Sequence, residues 1–375
     1  MYRVGVIGGG QLARMMQVPA IELGIELKVF AEQDASSAHQ AVTQVGDYTD
    51  YQQLSSFAKT VDVVTFDHEH VPTGLLETLE AEGVKVFPGP AALVFAQNKS
   101  LMRSRLQDLG LPLPAWATAS DPEGIEQFIA EHGPEIIVKT PIGGYDGKGV
   151  RVVTSSADVS DWLDQIETLG GELLLEQKVP FVRELAQLVA RSPGGEIATY
   201  DLVQTVQKDG VCAEVLAPAP MPVGTETAAR IGAEIAGGLG VVGMLAVELF
   251  ETADGKLYIN ELAMRPHNSG HFSIEACNTS QFEQHLRAVL DLPLGSTAMV
   301  AEAAVMLNLL GVDSENTFVE NYPRAMKLTP DVKFHTYEKS ARRGRKMGHL
   351  TLLGSNHPQL LETAHSAVAV LYGKS

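Results

Sequence analysis

Short apolar runs alternate with stretches of helical spacing along the first hundred residues. The runs RVGVIG (3–8), ELKVFA (26–31), DVVTFD (62–67) and VKVFPG (84–89) read as strands, and Gln11–Leu23 reads as the first helix. Alternation of this kind predicts a parallel sheet covered by helices, punctuated at its end by Pro88-Gly89-Pro90. Residues 99–120 predict a helix followed by a connection through LPLPAW. From about residue 121 the texture changes. The helix DPEGIEQFIAEHG leads into the strand EIIVKT, a glycine-rich turn, the return strand VRVVTS and a further strand in GGELLLEQKV, which together predict a small α+β lobe. VRELAQLVARS and GEIATYDLVQTVQKDG continue as antiparallel strands, APAPMP (217–222) is a loop, TETAARIGAEIAGGLG is a helix, and 241–262 is a hairpin. Residues 300–375 are again strand and helix, too short to require independent folding.

With 375 residues the chain predicts two or three domains. It lacks any 18-residue apolar window and any basic start followed by a long apolar run, so neither a membrane span nor a secretory signal is expected. Two cysteines, Cys212 and Cys277, fit a reducing cytoplasm. A net charge of −18 argues against nucleic acid as a partner. Anionic ligands must then be met by local clusters, and KSARRGRK (339–346) places five basic side chains in eight positions.

Gly8-Gly9-Gly10-Gln11-Leu12-Ala13 spells G-x-G-x-x-A after the first strand, with Glu32 at the end of the second where an acid would hold a ribose hydroxyl. That pattern also suits any tightly packed strand-turn-helix. More informative is VELFETADGKLYINEL. Asp254-Gly255 is a two-residue hairpin signal, which sets 253 opposite 256, 252 opposite 257, and Glu248 opposite Glu261. Opposed carboxylates repel each other, so they either flank a divalent cation such as Mg²⁺ or turn to solvent. GGYDGKG (143–149) lies between two strands, where its amides could cradle phosphates as a lid, and Lys139 precedes it. LLLEQKVPF (173–181) could run beside a base, and RPHNSGH (265–271) is too polar for a core strand.

Taken together, Lys99, Lys139, GGYDGKG, EQKV and the hairpin acids resemble the ATP-grasp superfamily. Within it, GGGQLARM, TFDHEHVP, NELAMRPHNSGH and GRKMGHL resemble the N5-carboxyaminoimidazole ribonucleotide synthase family over nearly the full length. The resemblance implies an α/β and α+β multidomain ATP-grasp fold. A Rossmann-like pre-ATP-grasp domain (1–98) would bind no NAD, the ATP-grasp domain (99–300) would carry a lid lobe at about 121–178, and a small C-terminal domain would cover 301–375. It implies an ATP-dependent ligase joining bicarbonate to 5-aminoimidazole ribonucleotide through carboxyphosphate. By similarity, ATP would meet Lys99, Lys139, Gly143, Gly144, Tyr145, Asp146, Gly147, Lys148, Gly149, Glu176, Gln177, Val179, Glu184, Asn260 and Glu261. Glu248 and Glu261 would hold Mg²⁺. The ribonucleotide would lie against Gly10, Gln11, Glu69, Tyr145, Asp146, Lys148, Arg265, His267 and Asn268, its phosphate on Lys339 and Arg345. Lys139, Tyr145, Asp146 and Arg265 are the implied catalytic residues, and a cytoplasmic homodimer passing product to a separate mutase is implied as well. The alternatives are another ATP-grasp ligase with a different acceptor and a non-catalytic ATP-binding module. The chain departs from the family pattern at TFDHEH, at Gln204 and Gln207, and at Ala263, where many ATP-grasp enzymes carry Asn.

Overall fold

The computed structural model describes residues 1–143, 149–208, 210–221, 224–312 and 318–373. Strands β1 (Arg3–Ile7), β2 (Glu26–Ala31), β3 (Val42–Val45) and β4 (Val63–Phe66) form a parallel sheet in the order β3-β2-β1-β4. Helices cover both faces, which is why β1 and β4 are almost wholly apolar and buried. VKVFPG is not a strand. Val86 makes only an isolated parallel bridge to Val64, since Pro88 and Pro90 have no N–H with which to extend a ladder.

Two helices, Pro90–Gln97 and Lys99–Asp108, lead out of this sheet. Asn98 caps the second, its side chain accepting the Leu101 N–H at 3.0 Å. Next come β5 (Trp116–Ala119), β6 (Ile136–Lys139), β7 (Val150–Val153) and β8 (Leu173–Gln177), an antiparallel sheet ordered β5-β8-β6-β7. The connection expected through LPLPAW therefore ends in a strand.

The remaining strands are β9 (Phe181–Arg191), β10 (Ile197–Thr199), β11 (Val203–Lys208), β12 (Val211–Ala217), β13 (Gly243–Thr252), β14 (Leu257–Ala263), β15 (Ala303–Leu310), β16 (Lys333–Thr336) and β17 (Lys346–Gly354). They make one nine-stranded sheet, ordered β14-β13-β9-β11-β12-β15-β17-β16 with β10 beside β9. The last three strands thus extend the central sheet through the β12–β15 pairing and do not form a sheet of their own. One apolar core runs from Phe30 and Phe66 of the first sheet through Leu93 and Leu106 to Leu185, Leu245 and Ile259 of the central one. On the other face of the first sheet, Val4, Val29 and Met16 pack with Phe282, Leu286 and Tyr337. Gripped on both faces, the first sheet holds its loop ends against the central sheet. Among the described residues, no helix is long and apolar enough to cross a membrane.

Candidate active site

Glu248 of β13 stands opposite Glu261 of β14, as expected, but by a different route. The Thr252 N–H donates to Lys256 O at 3.0 Å, closing a three-residue loop whose last member, Gly255, has φ +77°. Glu251 therefore pairs with Leu257, Phe250 with Tyr258 and Leu249 with Ile259, one position off the two-residue register. A β-bulge then inserts Asn260 and restores it. The Asn260 side chain donates to Glu248 Oε2 at 3.4 Å, and Lys99 Nζ lies 3.9 Å from Glu261 Oε1.

Glu248 keeps 30% of its side-chain surface open to the cleft. Surrounding protein, aided by the charges of Glu261 and Glu184, raises its carboxyl from 4.5 to about 7. Burial also raises Glu184, on neighbouring β9. Carboxylates forced together in this way form a hard-oxygen donor set that fits Mg²⁺. Among the described residues no group of three or more His, Cys, Asp or Glu has the arrangement of a metal cage. Mg²⁺ at such a site draws its remaining ligands from water and substrate phosphates.

A row of buried cations lies beside the acids. Lys139 Nζ is 2.8 Å from Glu176 Oε2 and 3.1 Å from Asn260 Oδ1. Lys99 Nζ donates to Gly143 O at 2.6 Å, and burial lowers its ammonium. Arg103, fully buried, donates to Glu176 and, at 2.7 Å, to Asn260 O. Burial alone would raise Glu176, but the Arg103 and Lys139 charges and hydrogen bonds overcome it and hold the carboxyl at about 2. The Glu176 carboxylate, expected beside a base, therefore serves Lys139 and Arg103. Sequence reasoning missed Arg103. Its signal was the spacing Lys99 to Arg103, four residues apart on one helix face.

Gln177 and Val179 follow where β8 leaves its sheet, the Gln177 N–H donating to Ala115 O at 2.8 Å and Val179 O accepting the Phe181 N–H at 2.9 Å. Gly143 and Gly149 flank the glycine turn, and the expected contacts Gly144, Tyr145, Asp146, Gly147 and Lys148 lie outside the described residues.

The loop after β14 meets the first sheet here. Arg265 Nε donates to buried Glu69 at 2.7 Å, and the Met264 N–H donates to the same carboxylate at 3.3 Å. His267 Nε2 is 3.5 Å from Glu248 Oε1 while Nδ1 contacts Ser269 Oγ at 2.8 Å. Burial, with the Arg265 and Lys346 charges, lowers this imidazole to about 3, so it is neutral. The Asn268 amide is paired in both directions with Asn308 of β15, at 3.0 and 2.6 Å, which ties the loop to the central sheet. Lys339 Nζ donates to Gln11 Oε1 at 2.6 Å, and Arg345 donates to Ser340 O and Oγ. The basic run is therefore divided. Lys339 reaches the first domain, whereas the charge of Lys346, a residue sequence reasoning did not single out, bears on Glu248 and His267.

At the glycine turn, residues 8–10, the close neighbours are the protein's own side chains. Asp67, just after β4, accepts the Ala13 N–H in the first helical turn at 2.7 Å. A Cβ on Gly10 would fall 1.9 Å from Asp67 Oδ2, and one on Gly8 would fall 2.6 Å from His68 Cδ2. Glu32 is not free for a ribose, because it pairs with His68 Nε2 at 3.2 Å and that hydrogen bond lowers it to about 2.

Comparison with known proteins agrees with this architecture. Residues 1–97 match the ribonucleotide synthetase preATP-grasp domain, 104–282 the ATP-grasp domain, and 304–363 the phosphoribosylaminoimidazole carboxylase C-terminal domain. The chain is 49% identical over 370 residues to N5-carboxyaminoimidazole ribonucleotide synthase of Mycobacterium tuberculosis, covering 97% of this chain and 86% of that one. It is 43% identical over 377 residues to the Corynebacterium ammoniagenes protein of the same name, covering 98% and 91%. The crystal structure of N5-carboxyaminoimidazole synthase from Aspergillus clavatus, in complex with ADP and 5-aminoimidazole ribonucleotide, matches at a TM-score of 0.88 and 31% identity over 99% of both chains. The chain belongs to the N5-carboxyaminoimidazole ribonucleotide synthase family of ATP-grasp ligases.

Proposed function

We propose that the chain uses ATP and bicarbonate to carboxylate 5-aminoimidazole ribonucleotide, giving N5-carboxyaminoimidazole ribonucleotide, ADP and phosphate in purine biosynthesis. The observation that carries this reading is the meeting of two half-sites. Opposed acids Glu248 and Glu261 sit beside buried cations, and His267, itself 3.5 Å from Glu248, belongs to a loop anchored on the first sheet through Glu69 and Arg265.

Bicarbonate is a poor electrophile. One of its oxygens attacks the γ-phosphorus, the bond to ADP breaks, and carboxyphosphate forms. The ribonucleotide amine then takes the carboxyl group, by attack on the carbonyl carbon or on CO₂ released from it, and gives up a proton as phosphate leaves. In-line phosphoryl transfer depends on positioned positive charge, which Lys139 and Lys99 supply from buried anchors. Glu248 and Glu261 would hold Mg²⁺, which when bound neutralises charge on the transferring phosphoryl group. Gly143–Gly149 would close over the phosphates and exclude water from carboxyphosphate, with Tyr145, Asp146 and Lys148 contributed from this turn. Gln177, Val179 and the Glu176 main chain would border the adenine, and Glu184 the ribose. Arg265, oriented by Glu69, and neutral His267 would border the amine, while Lys339 and Arg345 would take the ribonucleotide phosphate. We further read the chain as a cytoplasmic homodimer that passes its labile carbamate to a separate mutase. Its two described cysteines are buried and unpaired, as a reducing compartment requires.

ADP release with Mg²⁺-ATP and bicarbonate, measured with and without 5-aminoimidazole ribonucleotide, tests the reading. Strong stimulation by the ribonucleotide is expected. Turnover indifferent to it would assign another acceptor, and absence of turnover would leave an ATP-binding module.

A further inference from the structure

Among the described residues, three that are not glycine have left-handed backbone: Met221, Asp291 and Glu338. Glu338, at φ +50°, lies one residue before Lys339. Such a conformation is unfavourable for a residue with a Cβ and persists where its surroundings over-determine it.

The surroundings here do so from several sides. Tyr337 is fully buried, and its N–H donates to Met347 O at 2.9 Å. Its carbonyl accepts Ser37 Oγ at 2.6 Å, and its hydroxyl meets His349 Nδ1 at 2.7 Å. The Glu338 carboxylate receives Arg14 Nη2 at 2.7 Å, and the same guanidinium donates to Ser37 O at 2.9 Å. Lys339 then turns back over the Tyr337 ring, 5.4 Å from its centroid, to reach Gln11. Residues 337–339 thus cross from the central sheet to the first domain, fastened to Ser37, Arg14 and Gln11 in succession.

We propose that Glu338 is a positioning residue for the ribonucleotide phosphate: the Arg14–Glu338 pair holds the left-handed turn that aims Lys339 into the cleft. The inference rests on the reading of Lys339 as a phosphate-binding cation. A partly exposed pair contributes modestly, so the effect is a specific loss of affinity and not a collapse of the fold.

The test compares Glu338→Ala, Arg14→Ala, their double variant and Lys339→Ala by steady-state kinetics with either substrate varied. Glu338→Ala and Arg14→Ala should each raise KM for the ribonucleotide about five-fold, with KM for ATP and the melting temperature unchanged. The double variant should lose less than the sum of the two single losses, because both remove the shared pair while each also removes a contact of its own, Arg14 to Ser37 and Glu338 to His39. Glu338→Gln, which retains an acceptor for Arg14, should recover most of the loss. If Lys339→Ala raises the ribonucleotide KM but Glu338→Ala does not, the positioning role is overturned and the phosphate site stands. If Lys339→Ala leaves that KM unchanged, the phosphate reading itself fails. Equal increases in both KM values for Glu338→Ala would mark a general structural effect and also overturn the proposal.

Discussion

Glu248→Gln should make the metal-free protein more stable at alkaline pH while abolishing turnover. In the folded chain the Glu248 carboxyl is held at about 7 against an ordinary 4.5, by burial and by the charges of Glu261 and Glu184. Below 4.5 both folded and unfolded forms carry the proton and no penalty exists. Between 4.5 and 7 the unfolded chain ionises first, so stability falls as pH rises, and above 7 the full penalty is present. The span corresponds to roughly 3 kcal/mol at 1.36 kcal/mol per pH unit, and discounting for the part of the side chain open to the cleft leaves about 2 kcal/mol. Gln removes the charge with little change of shape. Thermal unfolding in EDTA without nucleotide, from pH 5 to 8.5, should show the wild type losing stability relative to Glu248→Gln across this window, by a few degrees at the alkaline end. Mg²⁺-ATP should then stabilise the wild type markedly and the variant little. Parallel pH profiles for the two proteins would refute the view that the hairpin carboxylates are held together against their own repulsion.

Two other substitutions probe the frame around the site. Glu176→Met leaves Lys139 and Arg103 buried without their carboxylate and should cost about 3–5 kcal/mol in urea unfolding, together with ATP affinity. Gly10→Ala drives a Cβ to 1.9 Å from Asp67 Oδ2, for a loss of about 1–3 kcal/mol. Melting temperatures should show the double variant Gly10→Ala, Asp67→Ala regaining part of that loss if Asp67 is the obstacle.

Features confined to one stretch of chain were legible in the sequence. The alternation over residues 1–83 gave the parallel strands except β3, a short edge strand, and the Asp-Gly turn located the hairpin. Yet the facing of Glu248 and Glu261 emerged from two compensating departures: a three-residue loop moved the register by one, and the bulge at Asn260 moved it back. Nothing in local propensity announces that bulge, whose extra residue is held by Arg103 and Lys139 from elements distant in sequence. The glycine turn misleads for a related reason. Its pattern records only that something packs closely, and whether that neighbour is a pyrophosphate or Asp67 is decided 57 residues away. The sequence singled out Glu176 as a neighbour of the adenine, but its charge partnership was invisible because Lys139 and Arg103 come from separate elements.

These partnerships explain how so acidic a chain can take polyanionic substrates. Bare cations buried together would repel one another and lose solvation, and burial does lower the Lys99 ammonium. Glu176 lies between Lys139 and Arg103, while Glu261 stands near Lys99. Each cation thus faces a carboxylate fixed on a strand. The arrangement is asymmetric in consequence. Glu176 is 3% exposed and closed in by its partners, whereas 40% of the Glu261 side chain is open. On the proposed reading, Glu261 would be free to hold Mg²⁺ and Lys99 to meet a phosphate of the triphosphate, while Glu176 stays in place. Local charge pairing, and not net charge, sets the affinity of the cleft.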